Sequence, residues 1–340
     1  MDNADYCCPR CRGSLDAWAA RYECRACGRM YPIIAGIPDF RIYADPYIGI
    51  KDDRAKGLRL HQAAASRSFA ELVGYYYAIT PEVTPDQARR FQAHHIAGVT
   101  RGWGMLDRLT RYGLVTSDRL AGRWLDLGCG TAGFLAAANC SALSLVGVDI
   151  AFRWLVIAQR RLDELGRSDI RLVCACADHL PFPDHYFDLV VAESLLEHTS
   201  APGAVLAEVG RVRRARSAFM ARTVNRYAPA PEPHVGVWGV GFLPRRLMNP
   251  YVRWRKGISY QHITLQSARS LRQLARAAGQ TDLTIRCPLL SRADYQHHSP
   301  AQQRIFTLYH ALAAGVPALR PLLALASPYL DIASRPAADS

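Results

Sequence analysis

The ten residues Trp124-Leu-Asp-Leu-Gly-Cys-Gly-Thr-Ala-Gly133 decide the fold. An apolar run ends in an acidic residue and a glycine-rich turn follows, which is how a buried parallel strand hands the chain to a helix. Gly128 and Gly130 let the backbone pass close to a ligand where a Cβ would collide. Around this stretch, from 123 to about 221, apolar runs of strand length alternate with helical stretches. The runs fall at 124–127, 144–150, 170–175, 187–192 and 217–223. That alternation predicts an α/β fold with a parallel sheet.

About twenty residues beyond the glycine turn, Asp149 ends the next apolar run, Ser144-Leu-Val-Gly-Val-Asp-Ile150. A carboxylate there can accept from both hydroxyls of a ribose. A nicotinamide or flavin enzyme is the first competing reading, although no pyrophosphate cradle is evident. Further on comes Ala177-Asp178-His-Leu-Pro-Phe-Pro-Asp-His-Tyr-Phe-Asp188-Leu-Val-Val-Ala-Glu-Ser-Leu-Leu-Glu197-His198. With it, the stretch 123–213 resembles the core of the class I S-adenosylmethionine (SAM) dependent methyltransferases, of the UbiE/UbiG-like kind. Their first strand reads close to LDLGCGTG and their fourth close to FDLVV…LEH.

The resemblance implies a doubly wound, seven-stranded Rossmann-like sheet that binds SAM. It implies that Asp126, Gly128, Cys129, Gly130 and Thr131 contact the methionine part and that Asp149, with Ile150, holds the ribose. Asp178 would accept from the adenine amino group with His179 beside it, and Glu193 to Leu195 would close the floor where donor and acceptor meet. Asp126 or Asp149 alone would read as a helix N-cap; their joint spacing favours the cofactor reading. One departure is Arg213-Arg-Ala-Arg216, where the family usually carries a Pro-Gly-Gly turn, so the start of the fifth strand is left open.

Towards the N-terminus, Cys8-Pro-Arg-Cys11 and Cys24-Arg-Ala-Cys27 form two C-x-x-C knuckles whose spacing lets four thiolates converge on one structural Zn²⁺. Cys7 is a surplus cysteine that could replace Cys8 as ligand; Cys8 is favoured because it keeps the two-residue spacing. A module of this size folds poorly on core burial alone, so metal ligation would stabilise it. Disulfides are the competing reading. With its tail Tyr31-Pro-Ile-Ile-Ala-Gly-Ile-Pro-Asp-Phe40, this stretch resembles the Trm112-like zinc-ribbon family, whose members act as partners or fused modules of methyltransferases. The expected organisation is a zinc ribbon over 1–42, a helical linker or lid over 43–120, and a SAM-binding domain over 121–340. Within the last, an insertion at about 226–262 would set acceptor specificity. The other cysteines, Cys129, Cys140, Cys174, Cys176 and Cys287, sit in apolar segments and read as core.

Methyl transfer from a sulfonium is an in-line displacement, for which a general base is optional. His234, in Pro229-Ala-Pro-Glu-Pro-His, ranks first as that base, followed by His198 and His262. Glu197-His198 also reads as an ordinary helix start. Tyr76, within Tyr75-Tyr-Tyr77, either closes over the site with a ring against the sulfonium or packs a helix. The 340 residues carry a formal charge of +13, but only three lysines, so arginine supplies nearly all of the positive charge. The excess draws anionic partners or merely reflects composition.

The run 236–256, aromatic, glycine-rich and basic, suits a phosphate or sugar carrier, nucleotide bases or a membrane surface, or is a solvated insertion. No run is long and apolar enough to span a membrane, and 1–9 lacks the pattern of a signal peptide, so a cytoplasmic location is expected. The leading expectation is O- or N-methylation of a small metabolite in specialised-metabolite or glycan biosynthesis. RNA is the alternative acceptor, though the Asn-Pro-Pro-Tyr motif of many nucleobase methylating enzymes is absent. Consumption of SAM by intramolecular cyclisation and a non-catalytic scaffold are lesser readings. The oligomeric state is not legible.

Overall fold

The computed structural model describes residues 5–115, 121–138, 143–288, 290 and 300–334, which leaves Cys140 outside the described residues. Two compact units result, one of 1–191 with 211–217 and one of 192–210 with 218–340.

In the first unit, strands β1 (Leu15–Trp18), β2 (Arg21–Cys24), β3 (Met30–Ile34) and β4 (Ile37–Pro38) form an antiparallel meander in chain order. Its small core is aromatic: Tyr6 lies 5.4 Å from Tyr22 and 5.2 Å from Phe40, ring centre to ring centre. The Tyr6 ring also meets Phe182, outside the meander. Strands β5 (Gly122–Leu127), β6 (Leu143–Asp149), β7 (Arg171–Cys174) and β8 (Phe187–Glu193) pair in parallel in the order β8-β5-β6-β7. Residues 124–127 are buried, as befits a central strand covered on both faces. From β5 the chain moves one way to β6 and β7 and then returns to the other side for β8. The carboxyl end of β5, where the glycine turn begins, is therefore the topological switch point, the usual ligand site of such sheets. The tail of the meander joins the β7 edge, where Asp39 bridges Cys174 in parallel and Phe40 N–H donates to the Cys174 carbonyl at 2.7 Å.

The helices of this unit are α1 (Ile50–Ala64), α2 (Phe69–Ala78), α3 (Pro85–Ile96), α4 (Gly98–Arg111), α5 (Gly133–Ala137) and α6 (Phe152–Glu164). Thr84 caps α3 in a capping box with Gln87, with Pro85 in the first turn, as the sequence predicts. The helices that the sequence suggested as a linker or lid pack closely on α5 and α6. A Cβ at Gly57 would lie 2.4 Å from the Phe152 ring, and one at Gly102 would lie 2.6 Å from the Gly133 carbonyl.

In the second unit, β9 (Arg213–Val224) continues from the first, and β11 (Tyr329–Ser334) pairs antiparallel with both β9 and β10 (Thr284–Arg286). The full sheet is seven-stranded and mixed, in the order β10-β11-β9-β8-β5-β6-β7. A buried pair of Arg222 with Asp331, bonded at 2.7 and 3.0 Å, ties β9 to β11. The Arg213–Arg216 stretch left open by the sequence is already strand: helix α7 (Pro202–Val212) ends and β9 starts without a turn between them. Arg216 takes up the irregularity at φ 65°. Helices α8 (Arg245–Lys256) and α9 (Ala268–Ala277) also belong to this unit, the latter capped by Ser267 and followed by Gly279 at φ 72°.

Candidate functional site

The glycine turn is held by backbone. Gly128 and Cys129 N–H both donate to the Val148 carbonyl, at 2.8 and 3.0 Å. Gly128 has φ 80° and Gly130 φ 50°, and among the described residues a Cβ on Gly130 would meet nothing within 4 Å. The turn thus presents bare backbone to open space, as a ligand cradle requires. Asp126 and Thr131 are buried beneath it. The Cys129 side chain turns inward, its Sγ 2.9 Å from where a Cβ of Gly147 would stand, so only its backbone is offered to a ligand. The glycines at 128, 130 and 133 share the spacing of dinucleotide-binding turns. Gly133 is required by packing, since its Cβ would lie 2.6 Å from the Gly98 backbone.

Asp149 locks the turn to the end of β6: Oδ2 accepts from Gly130 N–H at 2.9 Å and Oδ1 from Ala151 N–H at 2.8 Å. Each oxygen keeps a lone pair for a ribose hydroxyl. Burial raises the Asp149 pKa, while the two N–H donors oppose the shift. Asp178 and His179 are half-buried, with His179 Nδ1 3.1 Å from Asp178 Oδ1. Asp178 also accepts a hydrogen bond from Tyr43 Oη, a residue of the segment after the meander. The chain's own residues thus fit a nucleoside-bearing cofactor with a carboxylate at the ribose position and another at the base position.

Behind Ile150 lies a charge network that the sequence did not reveal. Arg41 is bidentate to Asp39 at 2.9 and 2.7 Å, bonds Asp53 at 2.6 Å, and donates to the Ile150 carbonyl at 3.0 Å. Arg153 bonds Asp53 at 2.7 Å and Asp45 at 2.9 Å, and Arg54 completes the set on Asp39 at 2.8 Å. Asp53 also accepts from Phe152 N–H at 2.9 Å, so it caps α6 from another helix. Arg41, Asp39 and Asp53 have fully buried side chains. Three arginines balance three aspartates, which is how charge survives burial. The network pins the residues that follow Asp149 from below.

Tyr76 is buried, its ring 4.3 Å from Trp154 of α6 and 4.6 Å beneath Lys56 Nζ. That is the setting of a packing residue between helices.

The four knuckle sulfurs lie within 4.8 Å of one another. Cys8 Sγ is 3.7 Å from Cys27 Sγ, and Cys11 Sγ is 3.4 Å from Cys24 Sγ. These separations approach the edge of about 3.8 Å that a tetrahedron of zinc–sulfur bonds near 2.3 Å would have. Tyr31 Oη lies 3.1 Å from Cys8 Sγ and can donate to its thiolate. Left-handed residues follow both knuckles, Arg12 at φ 65° and Gly28 at φ 67°. Cys7 is not among the four; its N–H bonds the Pro181 carbonyl at 3.0 Å. The donor set fits zinc.

The second unit gathers Glu197, His198, Thr223, Glu232 and His234. Leu196–His198 is a single 3₁₀ turn without a side-chain cap, so Glu197 is not the capping residue that its position suggested. Its carboxylate is fully buried and accepts from Thr223 Oγ1 at 2.7 Å, while Oε1 has no hydrogen-bond partner among the described residues. His198 Nε2 and His234 Nε2 face each other at 3.2 Å. Glu232 folds the loop around its own carboxylate: Oε1 bonds His234 Nδ1, and Oε2 accepts from the N–H groups of His234 and Val235, each at 3.0 Å.

Burial works against charge on His234, but Glu232 and then Glu197 outweigh it and hold its pKa above the ordinary value. Burial, then the charge of His234, brings His198 down to about 4. When the pair takes up one proton it therefore resides on His234, with His198 the neutral partner. Glu197, His198 and His234 offer three ligand atoms within 4.8 Å and could also hold a divalent cation. His262 is exposed and outside this group, and Glu193 is half-buried at the end of β8. Glu232 was missed from sequence. The available signal was an acid two residues before a histidine, between prolines, where a short carboxylate reaches back to backbone and ring.

Residues 125–221 match the methyltransferase domain family. Among curated relatives, an uncharacterized methyltransferase, YcgJ, of Bacillus subtilis (strain 168) is 30% identical over 107 residues, 32% of this chain and 42% of the relative. A ubiquinone biosynthesis O-methyltransferase of Thiobacillus denitrificans is 36% identical over 116 residues, 33% of this chain and 49% of the relative. The chain spans 42–61% of the length of the first curated relatives it matches. Among solved structures, a phosphoethanolamine N-methyltransferase 2 of Haemonchus contortus with bound SAM aligns at a TM-score of 0.44 and 18% identity, over 68% of this chain and 51% of that one.

Proposed function

We propose that this chain is a SAM-dependent methyltransferase whose acceptor is a small molecule of specialised-metabolite or glycan biosynthesis, methylated on oxygen or nitrogen. The observation that carries the reading is Asp149, which joins the bare glycine turn to the end of β6 and keeps a free lone pair on each oxygen. The match of 125–221 to the methyltransferase domain family supports it. When bound, SAM supplies an electrophilic methyl group on a sulfonium. Asp126 to Thr131 would hold the amino-acid part, Asp149 the ribose and Asp178 the adenine amino group. Strands β5 and β8 pair in parallel through Asp126 and Val191, so the chain leaves both at the same edge of the sheet.

Glu232 orients His234, and His234 in its neutral form is the base for an acceptor hydroxyl or amide proton. Glu232 accepts the Nδ1–H and leaves the lone pair of the neutral ring on Nε2. Once that nitrogen has taken the acceptor's proton, His198, neutral with its pKa lowered to about 4, can accept the new Nε2–H, and its Nε2 at 3.2 Å fixes which way the ring faces. The four cysteines hold a structural zinc that maintains the N-terminal meander. Titration of the purified chain with SAM tests the reading. Asp149→Ala should weaken binding about 100-fold, the loss of two hydrogen bonds to a charged acceptor at about 1.5 kcal/mol each. An unchanged affinity in a folded variant would remove the cofactor assignment.

A further inference from the structure

Between Glu232 and Asp282 the sequence holds eight arginine and lysine residues and no carboxylate side chain, an imbalance well beyond that of the chain as a whole. Five of the eight lie in α8 (Arg245, Arg246, Arg253, Arg255 and Lys256), and all five are exposed. The helix has an inner face, Met248 and Val252, packed into a small core with Val237, Val240 and Tyr260. On its outer side Leu247 and Trp254, seven residues apart and therefore on one face, are 46% and 76% exposed. Arg246 and Arg253, also seven apart, run alongside them.

The loop before the helix adds Trp238 and Phe242, each 57% exposed. Tyr251 Oη donates to the Trp238 carbonyl at 2.9 Å and the Tyr251 ring lies 6.1 Å from Trp254, which joins loop and helix into one surface. A helix that merely faced water would not carry its largest apolar rings on the solvent side.

We propose that this face of α8 and its preceding loop docks on an anionic lipid surface. Leu247, Phe242 and the two tryptophans would enter the headgroup boundary, with the flanking arginines on lipid phosphates. Nucleic acid would satisfy the charge and stack on the tryptophans, but it offers nothing to exposed aliphatic side chains. The same unit exposes more of these, with Ile305 and Leu308 at 66% and 62% and Leu322 and Leu325 at 64% and 58%. No single described helix is long and apolar enough to cross a membrane. The proposed contact is made by side chains at the headgroup boundary, and it requires neither SAM nor the histidine pair.

The test is flotation of the full-length, zinc-loaded protein with vesicles of phosphatidylcholine containing about 30% phosphatidylglycerol, against vesicles of phosphatidylcholine alone, without SAM. The protein should float with the anionic vesicles only, and its tryptophan emission should shift to shorter wavelength. The double variant Leu247→Ala/Trp254→Ala should lose at least tenfold in partitioning and most of the shift. Arg246→Glu/Arg253→Glu should lose a similar factor, while circular dichroism and SAM affinity of both variants stay at the parent value. Absence of binding to anionic vesicles, or binding that survives both variants, would overturn the proposal. Salt-sensitive binding to a single-stranded RNA that exceeds vesicle binding and is lost in the same variants would also overturn it, and would assign the face to nucleic acid.

Discussion

The glycine turn and the histidine loop both hold polar groups in place, and they do so with different materials. The turn is fixed by backbone: two N–H groups share the Val148 carbonyl, and Asp149 takes two more. The loop is fixed by a side chain, since the Glu232 carboxylate takes two backbone N–H groups and the ring of His234. A site made from backbone needs glycines at set positions, and these leave a readable spacing. A site made from one carboxylate needs only that residue within reach, and its sequence looks like any polar loop.

The comparison can be broken at the support of the turn. Arg41→Met strips Asp39 and Asp53 of a buried partner and should cost about 3–5 kcal/mol of unfolding free energy in urea. SAM affinity should fall with it through the Ile150 carbonyl. A loss below about 1 kcal/mol would show that the network is not what fixes the turn.

Next in size is His234→Ala. With the acceptor in hand, turnover should fall about 10²-fold or more while SAM affinity stays at the parent value. Asp149→Ala should give the reverse pattern of binding loss, and a His234 variant that instead lost SAM affinity would merge the two regions. A smaller effect follows from Glu232→Gln. The base form of His234 exists only above its raised pKa, so kcat/KM should climb with pH through a value above about 6.5. Without the Glu232 carboxylate, only Glu197 opposes the effect of burial on His234, and the climb should move to lower pH. A profile that does not move would exclude Glu232 as the controlling charge. Smallest is Tyr76→Phe, which should change stability by less than about 0.5 kcal/mol and leave SAM affinity and turnover unchanged. A large loss in either would return Tyr76 to the site.

Much of the fold was legible because burial on both faces turns strand segments such as 172–174 and 189–192 into unbroken apolar runs. The knuckles were legible because metal ligation demands a fixed cysteine interval. Arg213–Arg216 was not, because the first residues of β9 are largely exposed, and ladder hydrogen bonds leave no mark on side-chain pattern. The Arg41 network was not legible either. Asp53 and Arg153 meet across 100 residues, and a pairing at that distance has no periodicity to detect. Glu197 was read as a helix start because acid followed by histidine after a strand has that local meaning. Only the tertiary structure shows its carboxylate turned inward to Thr223.

The joint between Asp39, Phe40 and Cys174 bears on self-association. Strand β7 ends its sheet, and an open parallel edge presents a row of unpaired amides that another molecule can extend. The N-terminal module caps part of that row with its own tail. A chain lacking the module would expose this row of amides, so its first failure would be sticking edge to edge to copies of itself.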